Sequence, residues 1–115
     1  MKYLISWSES AIKDLNDLSE YITVIDNKDI AEKTFEGIIL TVNDLNFFPE
    51  RGRNVDEIKE FGGLDFKFLL YKRWKIIYKI YHELEAVSVL LVVDTSMDLQ
   101  NILDRMIIDE KLNRY

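Results

Sequence analysis

GLDFKFLLYKRWKIIYKIY, residues 63–81, is the stretch on which the fold turns. Leu64, Phe66, Phe68 and Leu70 alternate with Asp65, Lys67 and Leu69, and then Trp74, Ile76, Tyr78 and Ile80 alternate with Lys75, Ile77, Lys79 and Tyr81. A period of two puts successive side chains on opposite faces of a pleated strand, so the stretch reads as two strands. HELE (82–85) then reads as a hairpin turn into AVSVLLVVD (86–94), whose nearly continuous β-branched run suits a strand covered on both faces. Consecutive strands joined by tight turns make an antiparallel meander.

Upstream, the period is helical. FFPERGR (47–53) carries the only proline of the chain and marks the change. Pro49 cannot continue a helix, and Gly52 lets the chain turn sharply. Before it, Ala11, Leu15, Leu18 and Ile22 recur at helical spacing, with Ile12 widening the stripe and Ser8 and Glu9 placed as a helix start. DNKD (26–29) interrupts the pattern, and Ala31, Phe35, Ile38, Val42 and Leu45 resume it. So short a break predicts an antiparallel helical hairpin. KYLISW (2–7) is a short strand, and Leu99, Ile102, Leu103, Met106 and Ile107 define a last helix within 98–115. The order is β-α-α-β-β-β-α. An α+β fold is expected, in which Leu15, Ile22, Phe35, Ile38 and Val42 meet Phe66, Ile76, Tyr78 and Val89.

Composition narrows the function. With 115 residues and 48% hydrophobic content, residues 1–115 are expected to make one domain. Without cysteine there is no disulfide framework and no thiolate chemistry, and the single histidine, His82, does not make a metal site; no cofactor is expected. The net charge of −6 argues against general attraction to free nucleic acid. Neither a signal-peptide core nor a membrane-length apolar run is evident, so a cytoplasmic location is expected.

Two basic groups stand out against this acidity. Arg51 and Arg53 flank Gly52, where either could fix the turn by pairing with a nearby acid or grip a phosphate or partner carboxylate. Lys67, Lys72, Arg73, Lys75 and Lys79 lie among Tyr71, Trp74, Tyr78 and Tyr81. Lysines on a solvent face keep a sheet soluble; interleaved with aromatic rings, they can also meet a phosphate backbone. His82, beside Glu83, reads as a solvated turn residue rather than a proton carrier.

The element order, the FPERGR turn and the strand WKIIY (74–78) together resemble the RelE/ParE superfamily of toxins from bacterial type II toxin–antitoxin pairs. Phe48, Pro49, Gly52 and Arg53 match an F-P-x-x-G-R turn, and Ala11, Leu15, Tyr21, Ile22, Asp98 and Leu103 fit the helical positions. The resemblance implies a toxin neutralised by a cognate antitoxin in a hetero-oligomer, a role associated with plasmid stabilisation. RelE-like members cleave ribosome-bound message, whereas ParE-like members inhibit DNA gyrase through a protein surface. Lys75 stands where the strand arginine is expected, Asp65 replaces an arginine after Gly-Leu, and VVDTSMD (92–98) lacks a basic residue. These departures favour the ParE branch and a toxin that is not itself an enzyme. A ribonuclease and a non-toxic binding module remain the alternatives. By this reading Arg51, Arg53, Lys72, Arg73, Lys75 and Tyr78 are candidates for contact with the target or a phosphate. Lys67, Leu69, Ile77, Lys79 and Tyr81, a mixed apolar and cationic set, are candidates for binding the antitoxin.

Overall fold

The computed structural model describes residues 2–55, 66–98, 100–102 and 104–105. Strand β1 (Leu4–Trp7) leads into helix α1 (Glu9–Ile25), which turns back as α2 (Lys28–Asn43). Ser8 caps α1: its hydroxyl accepts the amide of Ala11 at 3.0 Å and donates to the carbonyl of Leu90 at 2.8 Å. Asn27 caps α2 by accepting the amide of Ile30 at 3.0 Å. The expected hairpin therefore forms. Ala11, Leu15, Leu18 and Ile22 of α1 and Ala31, Ile38 and Val42 of α2 are buried against the sheet.

The sheet order is β1-β5-β4-β3-β2, with β2 at Arg53–Asn54, β3 at Phe66–Tyr71, β4 at Trp74–Tyr81 and β5 at Ala86–Asp94. The antiparallel meander of β3, β4 and β5 follows the alternation in the sequence. Two features extend it. β1 pairs parallel with β5, with Leu4 beside Ala86 and Trp7 beside Val89, and the two-residue β2 adds an outer edge to β3. Past the end of β1, side chains continue its role: Ser8 takes the Leu90 carbonyl, and the Asp14 carboxylate accepts the Val92 amide at 3.0 Å.

The face assignment of β3 is the reverse of that expected. Residues directly opposite across a ladder share a face. Leu69 pairs with Ile76 and Lys67 with Tyr78, so these point toward the helices, whereas Phe66 pairs with Lys79 and Phe68 with Ile77 on the other side. Leu69, rather than Phe66, joins the helix-side core with Ile76, Tyr78 and Val89. Leu64 and Asp65 lie outside the described residues, as do Leu99, Leu103, Met106 and Ile107 of the last helical stripe.

Residues 100–102 and 104–105 are helical. Ile102 packs with Ile77, Leu91 and Val93 into a second, smaller core on the outer sheet face, flanked by Phe68, Leu90 and Met97. Arg105 reaches round the β5 edge to Asp14, 2.9 Å away. One carboxylate thus joins α1, β5 and the last helical segment.

Candidate functional site

Cross-strand register builds the outer face residue by residue. One row runs Arg53, Phe68, Ile77 and Leu91; the rows beside it contain Leu70, Lys75 and Val93, and Phe66, Lys79 and Ser88. The lysines lie along aromatic rings. Lys75 Nζ is 4.5 Å from the Phe68 centroid, and Lys79 Nζ is 5.1 Å from that of Phe66 and 4.9 Å from that of Tyr81. The rings hold the ammonium groups in place by cation–π attraction. Arg53, Lys75 and Lys79 make no ion pair among the described residues, so this face can hold a carboxylate or a phosphate.

The remaining candidates are sorted by their partners. Lys67, expected on this outer face, is instead on the helix side, donating to Asn54 Oδ1 at 2.8 Å with Glu50 at 3.5 Å. Leu69 belongs to the helix-side core, and Ile77 shares the outer face but is only 1% exposed beneath Ile102. Neither presents an apolar contact to a partner, because cross-strand pairing turns one inward and the last helical segment covers the other. Tyr81 is 38% exposed and meets the expectation of an accessible aromatic residue.

Tyr78 is fully buried, which removes it from any surface contact. Its hydroxyl donates to the Pro49 carbonyl at 2.8 Å and accepts the Gly52 amide at 2.9 Å, and burial pushes its pKa up to about 12. It clamps the FPERGR turn. Gly52 has an ordinary φ, so its requirement is space: an added Cβ would lie 2.5 Å from the Tyr78 hydroxyl and 2.7 Å from the Phe68 carbonyl oxygen.

The turns commit two arginines. Arg51 is paired with Asp44, as the turn-fixing reading anticipates. Arg73 donates from Nε to Asp94 at 2.7 Å, tying the β3–β4 turn to the end of β5. The Asp94 carboxyl is held below the usual carboxylate range, first by the Ser96 amide and then by Arg73. Lys72 occupies the tip of that turn in the left-handed region, with φ of 53°, and its ammonium lies 5.6 Å from the Tyr71 ring.

His82 does sit in the expected turn, yet it is more than a solvated residue. Its Nδ1 lies 3.1 Å from the Tyr3 hydroxyl and its Nε2 3.0 Å from Glu50, tying the chain start to the FPERGR segment. Sequence reasoning placed Phe48 in the FPERGR turn but gave neither it nor Phe47 a surface role, and the two are 66% and 63% exposed. Two adjacent aromatic residues before a turn proline were the available signal. No group of three or more His, Cys, Asp or Glu among the described residues is placed to hold a metal ion, and none of their helices is long and apolar enough to cross a membrane.

A helical hairpin on one face of a mixed sheet, with a cationic, aromatic opposite face, defines a two-layer α+β domain. The family model described as "ParE toxin of type II toxin-antitoxin system, parDE" matches residues 5–99, and the chain belongs to this family of type II toxins. Solved structures share the fold. The chromosomal ParDE toxin–antitoxin system from P. aeruginosa is similar at a TM-score of 0.66 and 14% identity, covering 81% of this chain and 96% of that one. The RelBE2 toxin–antitoxin complex from Mycobacterium tuberculosis gives 0.56 and 18%, covering 82% and 92%. The isolated E. coli RelE toxin gives 0.51 and 14%, covering 90% and 98%. No curated protein sequence matches the chain.

Proposed function

We propose that the chain is a cytoplasmic ParE-like toxin that acts by binding, with DNA gyrase as its target, and that a cognate antitoxin neutralises it by covering the outer sheet face. The observation that carries the binding reading is the commitment of Tyr78. A ribonuclease of this fold needs a group that moves a proton beside cations that hold the phosphate. Tyr78 instead spends its hydroxyl on Pro49 and Gly52 inside the protein, and His82 is engaged with Tyr3 and Glu50. Asp94 neutralises Arg73 where a further cation would be useful.

Arg53, Lys75, Lys79 and Tyr81 suit an acidic partner segment. The charges of Arg53, Lys75 and Lys79, which meet no acid among the described residues, speed its encounter, and the ring of Tyr81 with the lysine side chain stacked on it supplies area to bury. Lys72, at an exposed turn tip beside Tyr71, adds a further cation at the β3–β4 end of the sheet.

Supercoiling of relaxed plasmid by purified gyrase is the deciding assay, run beside cleavage of ribosome-bound message. Inhibition of supercoiling without RNA cleavage is expected. Ribosome-dependent cleavage that is lost in Lys75→Ala would replace this reading with the ribonuclease one. A folded chain inactive in both assays would leave a binding module.

A further inference from the structure

We propose that Phe47 and Phe48 are the anchors by which the chain docks on its target, inserting into an apolar pocket with a basic rim; the assignment rests on the gyrase-inhibition reading above. These side chains are 63% and 66% exposed, and with Pro49, Glu50 and Arg51 they line a shallow depression. Their turn is held from several directions. Asn46 exchanges hydrogen bonds with Tyr3, its carbonyl accepting the Tyr3 amide at 2.7 Å and its side-chain amide donating to the Tyr3 carbonyl at 2.8 Å. The Phe48 amide donates to the Asp44 carbonyl at 3.0 Å, Arg51 pairs with Asp44, and Tyr78 joins Pro49 to Gly52.

Exposed aromatic side chains on a fixed backbone lose little freedom on docking, and aromatic residues beside an arginine are the composition of binding hot spots. The patch extends along one end of the sheet. Leu4 and Leu84 are 69% and 71% exposed there, linked to the turn through the bond from the Leu4 amide to the Glu85 carbonyl and the Tyr3–His82–Glu50 chain. Charge selects the partner: Glu83 and Glu85 stand at this end beside Asp44, which is paired with Arg51, and Glu50, which meets Lys67 and His82, so acids outnumber bases here, whereas the outer face carries Arg53, Lys75 and Lys79. An acidic antitoxin segment is drawn to the cationic face and repelled from this end. A basic-rimmed apolar pocket is drawn to the end.

The test compares the wild-type chain with the Phe47→Ser/Phe48→Ser double variant in three measurements: inhibition of purified gyrase on relaxed plasmid, calorimetric affinity for the cognate antitoxin, and thermal melting. Half-inhibition should require at least about tenfold more variant, as for loss of anchor side chains, with melting unchanged and antitoxin affinity kept within about twofold. Both side chains are exposed and bury little on folding, and the melt reads any unfolding directly. A variant that inhibits as well as wild type overturns the assignment alone. So does one whose antitoxin affinity falls in parallel, since the patch would then be the antitoxin's. Absence of inhibition by the wild-type chain overturns both the gyrase reading and this assignment.

Discussion

The hydroxyl of Tyr78, at the middle of β4, is bonded to the carbonyl of Pro49 at 2.8 Å, so the turn that ends the helical half of the chain is fastened from inside the sheet. The same oxygen takes the Gly52 amide. Tyr78→Phe keeps the ring and strips both backbone groups of their partner, and it should cost about 1–3 kcal/mol, the penalty for unmade buried hydrogen bonds. Urea denaturation reads the loss. Unchanged stability would mean that the turn holds itself.

Gly37 tests close approach. A Cβ on Gly37 in α2 would lie 2.1 Å from the Tyr71 hydroxyl and 2.2 Å from its ring carbon. Helix propensity alone favours alanine there by about 1 kcal/mol. Overpacking opposes it by about 1–3 kcal/mol, so Gly37→Ala should destabilise and Tyr71→Leu should restore part of the loss. A stabilised Gly37→Ala protein would show that Tyr71 moves aside without cost.

Acid stability should carry two opposed contributions. Burial raises the Asp14 pKa above its ordinary value despite the Val92 amide and Arg105, so between the unfolded and folded values the native state binds more protons. Its contribution to stability therefore falls as pH rises through that window, and Asp14→Asn should remove this slope. Asp94 is lowered, so its contribution is present above its unfolded value and is lost as pH falls through the folded one. Asp94→Asn should flatten that acid limb. Melting temperatures between about pH 3 and 6, around the carboxylate range, separate the two; the same slope in the parent and in both variants would contradict them.

Positions on one strand face should divide by burial. Ile77→Asp places an unpaired charge beneath Ile102, Leu91 and Val93, and about 3 kcal/mol or more of stability should be lost. Lys79→Glu and Tyr81→Asp, both in contact with solvent, should change stability by less than about 1 kcal/mol. They should instead weaken antitoxin binding, with the Lys79→Glu effect shrinking as salt is added. Equal antitoxin affinity for both exposed variants would move that interface away from this face.

The helices were readable because each has one apolar stripe and one clear breaker. Ala11, Leu15, Leu18 and Ile22 leave no second way to turn α1. β3 was ambiguous: Phe66 and Phe68 on one side and Leu69 with the long stem of Lys67 on the other are both apolar enough to be buried. Its orientation is decided by the pairing of Leu69 with Ile76, which lies outside the strand itself. β4 hides the same problem, since Ile77 lies under a second small core built by the last helical segment. Ion pairs were the least legible part of the candidate site. Arg73 and Asp94 are 21 positions apart and meet only because their strands are paired, while the exposed anchors Phe47 and Phe48 have no periodic pattern to announce them.

The parallel pairing of β1 with β5 sets an order of assembly. Ser8 waits for Leu90, 82 positions later in the chain, and among the described residues β5 is the one strand beside β1. Closing so long a loop is entropically slow, so local hairpins form first and the first strand made is among the last to find its place. During synthesis the helical hairpin leaves the ribosome before any strand that could complete its core. A sheet built this way is unfinished until residue 94 has emerged, so neither the core under the helical hairpin nor the cationic outer face exists before the last strand is made.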